Sequence, residues 1–108
     1  MGYQACTVSG CVYIDVDNEY GEKLAHIQAG DEAVFRYVQN DKPWTGVKLF
    51  GHGSGTVEFL MNGHTAGTAV MENGVCVTSQ LSMEPGVYEL TLRFSRSDGL
   101  EIIEIVLV

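Results

Sequence analysis

The chain has 108 residues, with fourteen acidic and six basic side chains and a formal net charge of −8. That length suits one domain able to bury a core without disulfide staples, and 45% hydrophobic with 19% charged residues excludes a disordered chain. The acidity argues against a nucleic-acid partner, since phosphate binding needs clustered Lys and Arg. No apolar run reaches the ~18 residues of a membrane-spanning helix.

The opening Met1-Gly2-Tyr3-Gln4-Ala5-Cys6 has no charged stretch leading into an apolar one, so no signal peptide is expected there. Met1-Gly2 itself reads as an initiation or cloning remnant. Strands are predicted at 4–8, 12–16, 23–28, 33–38, 47–52, 57–61, 65–70, 75–81, 88–94 and 100–108, each rich in Val, Ile, Thr, Tyr or Phe and bounded by turn residues. In the fourth, Ala33, Phe35 and Tyr37 oppose Val34, Arg36 and Val38, a period of two. Asn62-Gly63 between the sixth and seventh supplies the positive φ angles of a two-residue hairpin. Glu84-Pro85-Gly86 is a second turn. After it Tyr88, Leu90, Leu92 and Phe94 share one face, and Glu89, Thr91 and Arg93 the other. A polar loop is expected between Phe94 and the final apolar strand. No segment carries a helical stripe, and about ten short strands imply an all-β fold, an antiparallel β-sandwich of jelly-roll topology.

Several constellations carry little chemistry. Asp15 to Glu19 lacks the spacing of a calcium loop and reads as an acidic turn. Gly51-His52-Gly53-Ser54-Gly55 has neither a Lys-Ser/Thr ending nor a following helix, and reads as a flexible strand connection rather than a phosphate loop. His26, His52 and His64 lack the paired spacings of a metal site. Cys6, Cys11 and Cys76 are an odd count; Cys6 and Cys11 are close enough to pair across a turn, but free, mostly buried thiols are the expectation. No Ser sits in a nucleophile elbow and no carboxylate pair has a reason to be placed for glycoside cleavage, so the chain is not expected to be an enzyme.

Three stretches in order carry a family resemblance. Ala25-His26-Ile27-Gln28-Ala29-Gly30-Asp31 continuing to Val38, Gly53-Ser54-Gly55-Thr56-Val57 through Asn62-Gly63 to Val70, and Pro85-Gly86-Val87-Tyr88 through Phe94 and Gly99 to Val108 together resemble a family 6 carbohydrate-binding module. The resemblance spans residues 24–108. It implies a non-catalytic jelly roll, usually appended to hydrolases of xylan or arabinoxylan, such as family 43 glycoside hydrolases. It also implies a cleft at one end of the sandwich, where two aromatic rings hold a sugar and an Asn hydrogen-bonds it. Carried onto this sequence, the first ring falls on His26, the second on Val75 within Asn73-Gly74-Val75, and the Asn on Ile102, so the usual cleft is expected to be degenerate.

Some members of that family use the concave face of one sheet instead. Trp44, in Asp41-Lys42-Pro43-Trp44, and Tyr20, in Asn18-Glu19-Tyr20-Gly21, are the ring candidates for that mode, with Asp41 and Glu19 as polar partners. The bland alternative is that Trp44 caps the core and Tyr20 packs on its loop. The resemblance further implies a structural calcium, for which Gln4 and Glu104 are the weak candidates, because the expected acidic position in the first strand is Cys6. The resulting expectation is a carbohydrate-binding accessory module with a polysaccharide or oligosaccharide ligand and a glycoside hydrolase domain in cis, extracellular if that hydrolase is secreted. The alternative is an interaction domain that packs on a catalytic domain without binding sugar, marked by a large apolar patch on one sheet face.

Overall fold

The computed structural model describes residues 6–9, 12–15, 22–40 and 42–107, so Gln4, Cys11, Glu19, Tyr20 and Asp41 fall outside it. The described residues form eight strands: β1 (Cys6–Ser9), β2 (Val12–Asp15), β3 (Glu22–Ala25), β4 (Glu32–Asn40), β5 (Val47–Met61), β6 (His64–Glu72), β7 (Val75–Leu81) and β8 (Gly86–Leu107). No described residue is helical, and every pairing is antiparallel.

The main difference from the sequence reading is the length of β5 and β8. Residues 47–52 and 57–61 belong to one 15-residue strand, and residues 88–94 and 100–108 fall largely within one 22-residue strand, with no loop after Phe94. The glycine-rich stretch is therefore strand rather than a connection between strands. The two strands pair along their lengths, from Val47 opposite Leu107 to Met61 opposite Leu90. A straight 22-residue strand would run about 70 Å, yet the longest extent of the molecule is 32 Å. The ribbon must bend, and its register shifts lie at Phe50/Gly51, His52/Ser54 and Thr56/Val57, where extra residues kink and twist the pair.

Two layers result. One half of the ribbon carries β4 and then β1 on its β8 side, and β6 and β7 on its β5 side; the other half carries β3 and β2 beyond β8. Sequence chemistry explains the corner. A Cβ on Gly51 would collide with the Glu101 carbonyl oxygen, so only glycine lets the two backbones approach there.

Side chains from both halves meet in one core, with Phe59, Leu92 and Phe94 from the first and Leu24, Leu49 and Ile102 from the second. None of the buried described side chains is polar or charged, so the core is held by apolar burial alone, at roughly 1.5–3 kcal/mol per large side chain. The alternation read in residues 88–94 holds: Leu90, Leu92 and Phe94 are buried and Glu89 and Arg93 exposed. That of residues 33–38 fails at Val38. A bulge sets Phe35 opposite Leu90 but Val38 opposite Tyr88, and the extra residue returns Val38 to pack against the core.

Candidate functional site

The β3–β4 turn is held at one end of the sandwich by side-chain and backbone hydrogen bonds together. His26 leaves β3 with φ of 57°, turning the chain so that its own ring is exposed while Ile27 beneath it is buried. The Asp31 carboxylate accepts from the Gln28 N–H at 2.8 Å, and the Asp31 N–H donates to the Gln28 carbonyl at 3.0 Å. The turn is then fastened to β8. Gly30 N–H donates to the Phe94 carbonyl at 2.7 Å, Phe94 N–H to the Asp31 carbonyl at 2.9 Å, and the Ser97 hydroxyl to the Ile27 carbonyl at 2.8 Å. A depression of about 200 Å³ lies against this turn, lined by His26, Ile27, Gly99, Leu100 and Glu101.

Along the ribbon, Glu101 stands in register with His52 of β5. Next to that, the β6–β7 hairpin closes on β5. Asn73 and Gly74 have φ of 52° and 80°, the two-residue turn that Asn-Gly favours. The sequence reading assigned no hairpin turn here and expected the preceding strand to stop at Val70, whereas β6 runs on to Glu72. Gly74 N–H donates to the Gly53 carbonyl at 2.7 Å and Asn73 N–H to the Ser54 hydroxyl at 3.1 Å. The hairpin thereby sets Val75 in register with Phe50. A second depression, of about 270 Å³, is lined there by Lys48, Leu49, Phe50, Gly74, Val75 and Cys76. Phe50 is 46% exposed, Val75 60% and Val77 53%.

No protein-family model matches the chain, and no curated protein matches it in sequence. Solved structures do. A β-1,3-glucan-binding family 6 carbohydrate-binding module from Bacillus halodurans superposes with a TM-score of 0.80 at 20% identity, over 94% of this chain and 87% of that one. The chain has the fold of the family 6 carbohydrate-binding modules. A module from Clostridium stercorarium, solved with cellobiose, matches with a TM-score of 0.72 at 14% identity over 97% of this chain and 86% of that one. A family 43 arabinoxylan arabinofuranohydrolase from Bacillus subtilis matches at 0.70 and 12% identity, over 91% of this chain but 24% of the enzyme.

Within that fold the positions drawn from the family resemblance can be located. His26 is exposed at the turn, and Val75 is exposed on the hairpin. Ile102, at the expected Asn, is 0% exposed and packed in the core beside Leu24. Its side chain faces away from any ligand that His26 and Val75 could share. Trp44 forms a bridge with Met83, its N–H donating to the Met83 carbonyl at 2.8 Å, and its half-buried indole packs against the core. Tyr20, Glu19 and Asp41 lie outside the described residues.

Glu104 pairs with Phe50 across the ribbon, while Gln4 is outside the described residues. Among those described, no three His, Cys, Asp or Glu side chains come together as a metal site. His52 and His64 are exposed on separate elements, and Cys76 is a free, half-buried thiol. Lys48, Phe50 and Glu101, which line these depressions, and Ser97, which fastens the turn, are residues that the sequence reading did not single out.

Proposed function

We propose that the chain is a non-catalytic carbohydrate-binding accessory module of a glycan-degrading hydrolase of the xylan or arabinoxylan class, in which the family's usual cleft is degenerate. One observation carries this reading: over nearly its whole length the chain superposes on carbohydrate-binding modules, and Ile102, on which the family resemblance sets the sugar-binding Asn, is packed in the core. Support for a hydrolase in cis comes from the arabinofuranohydrolase, in which the matching fold is about a quarter of the enzyme. Trp44 with Tyr20, His26, Asp41 and Glu19 remains the ligand set suggested by sequence.

Affinity electrophoresis through gels containing xylan, arabinoxylan or a β-glucan tests the reading. Retardation by at least one polysaccharide is expected, and free migration through all of them would overturn it. If Trp44→Ala is retarded as strongly as the parent, Trp44 leaves the ligand set.

The exposure of Phe50, Val75 and Val77 favours a second reading, docking of this face on a catalytic domain without sugar binding. Free migration through every gel, combined with tight association with the neighbouring hydrolase domain, would select it.

A further inference from the structure

We propose that Phe50 is a one-sided platform on which the interior of a glycan chain stacks, a site that replaces the ring-on-ring cleft; the inference rests on the carbohydrate-binding reading above. Phe50 is the fourth residue of β5, paired with a strand on each side, and nearly half of its surface meets solvent. Strand alternation puts Lys48 on the same outward face. Register sets Val75 on one flank of Phe50 and Glu104 on the other. Gly74 lies close against the Gly51 carbonyl, where a Cβ would collide, so no side chain rises from the hairpin tip beside the ring. The ring is thus left open over a depression of about 270 Å³, close to the lower end of the ~300–1,000 Å³ of small-molecule clefts.

Apolar exposure alone does not choose a ligand; the flanks do. A pyranose presents C–H groups on its face and hydroxyls around its rim. A phenyl face with an ammonium donor on Lys48 and a carboxylate acceptor on Glu104 matches that pattern. The core of a protein-docking face is instead depleted of charge. The geometry also sets which part of the glycan fits. Val75 is too short to close a second wall over the sugar, and Ile102 is turned into the core. Among the described residues lining the trough, no second ring closes over it, so internal sugar residues can lie across it.

The test is affinity electrophoresis of the full chain in soluble arabinoxylan and in mixed-linkage β-glucan, repeated with Phe50→Thr, Phe50→Tyr and Val87→Ala. Threonine keeps the strand propensity of the site, and circular dichroism checks that each variant folds. Phe50→Thr should weaken binding about ten-fold or more, the scale of one lost stacking contact. Phe50→Tyr should stay within about three-fold of the parent, since the ring face is kept. Val87→Ala, exposed elsewhere on β8, should bind as the parent does. Borohydride reduction of the polysaccharide's reducing ends should leave affinity unchanged. If the parent is retarded and Phe50→Thr equally so, the platform is overturned while the carbohydrate-binding reading stands. Loss of binding on end reduction would overturn the interior mode. Free migration of the parent through both gels would remove the reading and the platform together.

Discussion

Asp31 and Ser97 are both committed to backbone groups of the β3–β4 turn, and that is what aims His26 outward. The Ser97 hydroxyl bonds a carbonyl 70 residues earlier in the chain, so Ser97→Ala leaves a partly buried acceptor unpaired. It should cost about 1 kcal/mol, read as a lower urea midpoint with unchanged slope. Ile102 shows why the family's cleft cannot be restored by one substitution. Ile102→Asn would bury an amide in a core whose buried described side chains are all apolar and would lose the isoleucine packing. Both effects point the same way, to a loss of about 3 kcal/mol or more, measurable by chemical denaturation. The role of Asp31 was partly legible, because a Gly-Asp pair after a strand marks a turn. That of Ser97 was not, since its partner lies too far along the chain for any local pattern.

At the scale of strands and turns, two glycines separate close approach from backbone freedom. Gly63 has φ of 82° and open space around it, whereas Gly51 lies against the Glu101 carbonyl. Gly63→Ala should therefore cost only the strain of a left-handed residue, about 1 kcal/mol. Gly51→Ala must push two paired strands apart and should cost at least about 3 kcal/mol. Thermal unfolding of the two variants side by side checks the order, and equal losses would contradict it.

These elements also show where sequence patterns stop. Alternation in residues 88–94 gave the buried face correctly, because an unbroken strand keeps its period. In β4 the same rule failed at Val38, because a bulged residue shifts the register between Phe35 and Val38. Glycine-rich and polar stretches were read as breaks, yet in a bent ribbon they are the bend. Conversely, Val47 and Leu49 alternating with Lys48 and Phe50 already placed Phe50 outward. It was overlooked because an aromatic ring in a strand is usually core.

For the molecule as a whole, β8 is the strand that joins everything else: β3, β4 and β5 all pair with it. Ending the chain after Leu100 would strip β3 and the first half of β5 of that partner and uncover Leu24 and Leu49. The truncated chain should lose its β-sheet circular dichroism altogether rather than retain half a sandwich. The all-β architecture was legible because it follows from many independent two-residue periods. The ligand surface was legible only in part, because it depends on which outward residues a crossing ribbon brings side by side. A continuous ribbon leaves no hinge between the layers, so neither can open alone. Amide protons near Leu49 and near Leu92, on opposite layers, should exchange with deuterium at one shared, global opening free energy, and any surface built across these strands is already set before a guest arrives.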